Sequence, residues 1–151
     1  MMTTDDSDRS LQWMRFIPLV ASFFFSLFGI FYSAWKQNFA ATYTSLYLEI
    51  ICVLLLRLHV LYMKNQLQQK AGRLTVKIIK ILGIVGAFAL LVVGGVLIYF
   101  AISQKQDFHW ENKGWYVAAI PAFLGSFWSL ILFFDCNKFE TIYEQRYVNL
   151  N

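Results

Sequence analysis

The chain has 151 residues, of which 58% are hydrophobic, 19% aromatic and only 15% charged. This composition is too apolar for an ordinary soluble domain of the same size, so lipid is predicted to be its main solvent. The formal net charge is +4, but the basic residues lie in short stretches between apolar runs and not on one polar face. That distribution argues against a nucleic-acid-binding protein and favours a membrane protein whose loops set its orientation.

Four apolar segments are each long enough to cross the hydrocarbon core of a bilayer, which takes on the order of 20 helical residues. We expect an all-α membrane protein in which a polar N-terminal tail, 1–15, precedes a transmembrane domain, 16–139, and a C-terminal tail, 140–151, follows it. The four spans are predicted at 16–35, 40–63, 78–102 and 115–134. The first span lacks an Ala-x-Ala cleavage site, so we expect it to remain in the mature protein.

Lysine and arginine in the loops predict the orientation. The first and third loops contain only Lys36, Lys105 and Lys113, whereas the segment after the second span contains Lys64, Lys70, Arg73, Lys77 and Lys80. Because basic residues are enriched in cytosolic loops, we expect this segment and both termini to be cytosolic.

Small and hydroxyl side chains recur at helical spacing on three of the spans, and they predict the faces that meet neighbouring helices. In chain order they are Ser22, Ser26, Gly29 and Ser33; Gly83, Ala87, Gly94 and Ala101; and Ala118, Ala122, Gly125, Ser129 and Cys136. Close helix packing is the expected role of these faces.

The second span carries ionisable and sulfur-containing side chains on one face, namely Glu49, Cys52, His59 and Met63. Histidine, cysteine and methionine are side chains that bind heme iron, so this face can offer an axial ligand. The alternative is that Cys52 and Met63 are packing residues and that His59 hydrogen-bonds a neighbouring helix. Both cysteines of the chain, Cys52 and Cys136, are predicted to be reduced thiols.

Glu49 lies in the exoplasmic half of the second span. A carboxylate inside a membrane is costly and is usually protonated, paired or in contact with water. We therefore expect Glu49 to handle a proton or to contact the cargo. Arg57 lies nearer the cytosolic interface, and its guanidinium is expected to snorkel outward.

The motifs of covalent chemistry are missing from the sequence. It has no Gly-rich phosphate loop, no Ser/His/Asp or Cys/His arrangement at catalytic spacing, and no cysteine and histidine spacing typical of zinc. We expect a protein that is not an enzyme.

Two segments are similar to a known family. At His59 the chain reads His-Val-Leu-Tyr-Met, and the tail reads Tyr143-Glu144-Gln145-Arg146-Tyr147. This pattern resembles the heme-responsive-gene family of heme transporters, small four-helix proteins with cytosolic termini. Its members have a histidine in the second helix, a histidine in the second exoplasmic loop, and a C-terminal motif of an aromatic residue, two further residues, a basic residue and a tyrosine. His109 occupies the loop position, and the tail motif opens with tyrosine where phenylalanine is common.

The resemblance implies that heme is the transported ligand and not a catalytic cofactor. It implies that the heme iron meets His109 on the exoplasmic side and His59 within the membrane. If the tail continues as a helix, Tyr143, Arg146 and Tyr147 fall at i, i+3 and i+4, which offers aromatic faces to the porphyrin and a cation to a propionate. The alternatives are a solvated His109 and a polar tail that only leaves the bilayer.

The segment Tyr147-Val148-Asn149-Leu150 has the form of a tyrosine-based sorting signal. It predicts a location in endosomal and lysosomal membranes, with the plasma membrane as the other possibility. Four helices enclose little space, so a dimer or trimer is expected if heme passes through. Two other functions stay open: a four-helix scaffold or accessory subunit, and a proton-coupled carrier of another small cation that depends on Glu49.

Overall fold

The computed structural model describes residues 4–64 and 66–148. These residues form five helices: α1 (Thr4–Trp35), α2 (Phe39–Met63), α3 (Leu67–Lys70), α4 (Arg73–Ser103) and α5 (Trp115–Val148). All but the short α3 are long and apolar enough to cross a membrane. The chain is a multi-pass, all-α membrane protein, and the predicted fold class is confirmed.

The helices extend beyond the predicted spans. α1 begins at Thr4, α4 begins at Arg73, and α5 continues to Val148. The predicted tails, 1–15 and 140–151, are therefore helical over the residues that the structure describes. A helix that is already nucleated by its apolar turns adds each further hydrogen bond at little entropic cost, so it continues into polar sequence.

The centre of the bundle is formed by α2 and α5. α2 packs against α1 and α5, and α5 also packs along α4. Leu48 on α2 and Leu132 on α5 are fully buried between the helices. Large apolar side chains on the outer face of α4, such as Phe88 and Val92, are about two-thirds exposed, at 63% and 65%. That outer surface matches the hydrocarbon of a bilayer.

The small-residue faces lie inside the bundle, as predicted. A Cβ atom added to Gly29 on α1 would lie 2.7 Å from Oγ of Ser45 on α2. One added to Gly83 on α4 would lie 3.1 Å from the backbone oxygen of Ser129 on α5. These two helix pairs therefore approach closely because glycine leaves room for the neighbouring helix.

The two ends of the bundle differ in chemistry. The basic end consists of the loop 64–72, the start of α1 and α4, and the end of α5. Three ion pairs of the described residues lie there: Arg15 with Asp135 at 3.3 Å, Arg73 with Glu144 at 3.1 Å, and Lys80 with Glu140 at 2.8 Å.

The aromatic end consists of the connections 36–38 and 104–114 and the adjoining helix ends. Asn38 is 1% exposed and joins the two connections. Its Nδ2 donates to the carbonyl oxygen of Gly114 at 3.1 Å, while its Oδ1 accepts from the backbone N–H of Ala41 at 3.1 Å. Both connections are therefore held against the start of α2.

Candidate functional site

Aromatic side chains gather around Trp110 at the aromatic end. Its ring meets Tyr32 edge to face with centroids 5.1 Å apart, and it lies 6.4 Å from Phe28 and 6.3 Å from Phe108. The rings of Phe28 and Tyr32 stack at 5.2 Å. This aromatic cluster, made of Phe28, Tyr32, Phe108 and Trp110, presents aromatic rings to its surroundings, since Phe108 is 59% exposed.

His109 lies between two members of the aromatic cluster in the chain and is half-buried. Its Nδ1 is 2.8 Å from the carbonyl oxygen of Asp107. Because a carbonyl can only accept, Nδ1 carries the proton of this contact, and Nε2 is then the nitrogen through which the neutral ring can bind a metal ion. A backbone carbonyl orients many metal-binding histidines in the same way. The geometry therefore allows His109 to bind iron through Nε2.

A narrow crevice enters the bundle beneath Trp110, between α1, α2 and α5. Its walls include Gly29, Ser33 and Ser45 on the first two helices and Pro121 on α5. Ser33 is buried, and its hydroxyl donates to the carbonyl of Gly29. The crevice is thus apolar on most sides and carries hydroxyl groups along the contact between α1 and α2.

Glu49 lies below this crevice, about 15 Å along α2 from Phe39, which places it near the middle of a hydrocarbon core of about 30 Å. Its Oε2 is hydrogen-bonded to Oγ of Ser26, a fully buried residue of α1. Further toward the basic end, Nε1 of Trp128 on α5 donates to Oγ of Ser22 at 2.9 Å. Polar contacts therefore continue along α1 from the crevice into the middle of the bundle.

His59 lies where three helices meet near the basic end. It is 7% exposed, and its ring stacks on Phe16 of α1 with centroids 6.2 Å apart. Asp135 on α5 interacts electrostatically with His59 and pairs with Arg15 at 3.3 Å. This setting, an imidazole between an aromatic ring and a carboxylate, suits both interpretations made from the sequence, a packed histidine and an iron ligand.

The other sulfur-containing candidates of α2 are spread along the helix. Cys52 is fully buried in the core and lies about 10 Å along the helix from His59, which is too far for both to bind one iron. Met63 is half-buried at the end of α2. The structure thus brings His59 to a helix junction but does not bring Cys52 to the same point.

Tyr143 holds the loop of the basic end in place. Its ring is 8% exposed, and its hydroxyl lies 3.0 Å from the carbonyl oxygen of Leu67 and 2.5 Å from that of Ala71. Burial raises the pKa of this hydroxyl, so it remains a hydrogen-bond donor at neutral pH. Tyr143 therefore has an anchoring role that the sequence did not indicate, and its contact with heme stays a prediction.

The rest of the tail motif is described only in part. α5 continues through positions 146 and 147, so these positions have the helical spacing to 143 that the sequence suggested. The side chains of Arg146 and Tyr147, and the whole of Leu150, lie outside the described residues. Their heme contacts and the sorting signal stay predictions.

Sequence reasoning did not single out Arg15 and Asp135. A signal was nevertheless present, because each lies at the cytosolic boundary of a predicted span and the two carry opposite charges. Charges at the same depth on neighbouring helices can pair.

Comparison of the chain with protein-family models, with curated proteins and with solved structures gives no match.

Proposed function

We propose that this protein is a heme transporter that moves heme from an exoplasmic or endolysosomal lumen to the cytosol. The observation that carries the proposal is the geometry of His109, whose Nδ1 lies 2.8 Å from the carbonyl oxygen of Asp107 and whose chain neighbours Phe108 and Trp110 belong to the aromatic cluster. Heme needs a nitrogen ligand for its iron and a flat apolar surface for its ring. His109 offers the nitrogen ligand, and the aromatic rings beside it offer apolar surface to the porphyrin.

A second histidine at the opposite end of the bundle supports a path for heme from the aromatic end to the basic end. The cargo passes from His109 at the aromatic end to His59, which lies against Phe16 near the basic end. The resemblance of the His59 segment and of the tail to the heme-responsive-gene family supports the same cargo. Arg146 and Tyr147 then receive the propionates and the ring on the cytosolic side.

The crevice beneath Trp110 is much narrower than a porphyrin, which supports passage along an interface between copies of the chain. A dimer or a trimer is the assembly that we propose. The tyrosine-based signal at Tyr147 and Leu150 supports endosomal and lysosomal membranes as the location, with the aromatic end facing the lumen. In that compartment heme from degraded material reaches His109 first.

The test uses purified protein and cells that cannot make heme. Added hemin should shift the Soret band of the wild-type protein, and heme uptake should fall by about tenfold or more in His59→Ala, the magnitude typical of disturbing a metal-binding histidine. His109→Ala should reduce uptake less, because a loop histidine has more freedom and more substitutes. Asn112→Ala, which changes an exposed residue of the same loop, is the matched control.

The opposite outcome favours the second class of function. If hemin produces no Soret shift and His59→Ala takes up heme like the wild type at equal surface level, the protein is not a heme transporter. A scaffold or accessory subunit, in which the inward faces only pack, then fits better.

A further inference from the structure

When the carboxyl group of Glu49 is ionised, the hydroxyl of Ser26 has one proton for two neighbouring hydrogen-bond acceptors. Oγ of Ser26 hydrogen-bonds Oε2 of Glu49 and also lies 2.8 Å from the carbonyl oxygen of Phe23. A serine hydroxyl has one proton, and the backbone carbonyl can only accept. A proton on Glu49 removes the conflict, because the carboxyl group then donates to Ser26 while Ser26 donates to Phe23.

No cation of the neighbouring helices lies at the depth of Glu49. The sequence has no Asp, Glu, Lys, Arg, His, Tyr or Cys at 16–31 of α1, 81–98 of α4 or 117–134 of α5. Besides Glu49, the titratable or charged side chains of α2 are Tyr43, Tyr47, Cys52, Arg57, His59 and Tyr62. The cation Arg57 is exposed and lies about 12 Å along the helix from Glu49. An ionised carboxylate at this depth therefore has no cation to pair with on the neighbouring helices, and an unpaired charge inside a membrane is costly.

The crevice approaches this carboxyl group from the aromatic end. Ser45 lines the crevice and precedes Glu49 by one helical turn, and Gly29, which faces Ser45, follows Ser26 by nearly one turn. The crevice therefore ends about one turn above the Glu49–Ser26 pair. The aromatic end is therefore the side of the membrane from which the crevice approaches the carboxyl group.

We infer that Glu49 is a proton-carrying site that couples transport to a proton gradient. A proton from the aromatic end forms an O–H bond with the carboxylate, and the neutral acid then joins α2 to α1 through Ser26. When that bond breaks, the proton leaves to water on the side of the basic end, and the single proton of Ser26 is again left between two acceptors. The inference rests on the proposed function only for the identity of the cargo.

The experiment uses the full chain in proteoliposomes that contain a pH-sensitive dye, with the aromatic end outward. In the wild type, hemin uptake should rise at least about fivefold when the outer pH falls by about two units, and hemin should carry protons inward. Glu49→Gln keeps both hydrogen bonds but cannot release a proton, so its uptake should not change with pH and hemin should drive no proton entry. Glu111→Gln, which changes an exposed loop carboxylate, should behave like the wild type.

A second variant keeps the test decisive if Glu49→Gln does not fold. Ser26→Ala leaves the carboxyl group but removes the partner of its protonated form, so the pH midpoint of uptake should move downward. An unchanged midpoint in Ser26→Ala, or hemin uptake by the wild type without proton entry, overturns the inference while the transporter function stands.

The two proposals can fail separately. If the wild type takes up no hemin, the dye still reports the decay of an imposed pH gradient in the absence of hemin. A slower decay in Glu49→Gln than in the wild type supports the proton site without the heme function. Equal decay in the two proteins rejects it.

Discussion

Two buried serines of α5 differ in whether their hydroxyl groups have a hydrogen-bond partner. Oγ of Ser126 donates to the carbonyl oxygen of Ala87 on α4 at 2.8 Å. Oγ of Ser129, nearly one turn later, has no hydrogen-bond partner among the described residues. A buried polar group without a partner costs about 1–3 kcal/mol, whereas a satisfied hydrogen bond contributes about 1 kcal/mol.

Alanine at these two positions should therefore have opposite effects on stability. Ser126→Ala is expected to destabilise the folded protein by about 1 kcal/mol, and Ser129→Ala to leave it unchanged or to stabilise it by a similar amount. Thermal unfolding of the purified variants in one detergent measures the difference. Equal losses in both variants would contradict the hydrogen-bond assignment.

At the scale of residues, the sequence indicated which side chains face inward but not how they pair. Helical periodicity was enough to place Ser26 and Ser129 on interior faces. The contact of Ser26 with Glu49 depends on the rotation of α1 against α2, and the contact of Arg15 with Asp135 joins residues 120 positions apart. The pattern of one helix does not fix how that helix is rotated against its neighbours, so the sequence could not predict either contact.

Two glycines of α4 differ in what surrounds them. A Cβ atom at Gly83 would lie 3.1 Å from the backbone oxygen of Ser129 and 3.2 Å from the backbone nitrogen of Phe133. A Cβ atom at Gly95 would meet nothing within 4 Å. Backbone atoms cannot turn away as a side chain can, so only the first position depends on glycine for helix contact.

Gly83→Ala should force α4 and α5 apart and destabilise the protein by about 1–3 kcal/mol, the usual cost of overpacking. Gly95→Ala is the matched control and should be neutral or slightly stabilising, because alanine favours the helix by up to about 1 kcal/mol. Unfolding in detergent and the yield of monodisperse protein report both changes. If the two variants lose the same stability, the close approach of α4 to α5 at Gly83 is wrong.

At the scale of elements, the spans could be predicted because lipid leaves a long apolar helix as the simplest way across. The polar extensions of α1 and α5 could not, since no apolar periodicity marks residues 4–12 or 144–148. The ion pair of Arg73 with Glu144, with a distance of 3.1 Å, joins the start of α4 to the extended end of α5. The hydrophobic pattern of a single helix does not predict a contact between the ends of two helices.

For the whole molecule, the charge difference between the two ends makes the orientation testable. The basic end carries Lys64 and Lys70 of the loop 64–72 and Arg73, Lys77 and Lys80 of α4, and the described N-terminal and C-terminal residues lie at that end. Positively charged loops remain in the cytosol. Tags at both termini should be protected from antibody in intact cells, and a tag in the connection 104–114 should face the exterior or a lumen.

Selective permeabilisation of the plasma membrane provides the control for this experiment, since it exposes cytosolic tags and leaves lumenal tags protected. A C-terminal tag that antibody reaches in intact cells would reverse the orientation and the side assigned to His109 and His59.

Pro121 has a mechanical consequence for the crevice that it lines. It lies within α5 and has no backbone N–H, so position 121 donates nothing to the carbonyl of Val117. The segment before it, 115–120, therefore has one fewer hydrogen bond to the rest of α5, and it is joined to α2 instead, because Oγ1 of Thr44 donates to the carbonyl oxygen of Ala118 at 3.0 Å. This segment is continuous with the connection 104–114, which Asn38 joins to the start of α2 through the carbonyl of Gly114. Side-chain hydrogen bonds from α2 thus fix this wall of the crevice at the place where the hydrogen bonding of α5 is interrupted.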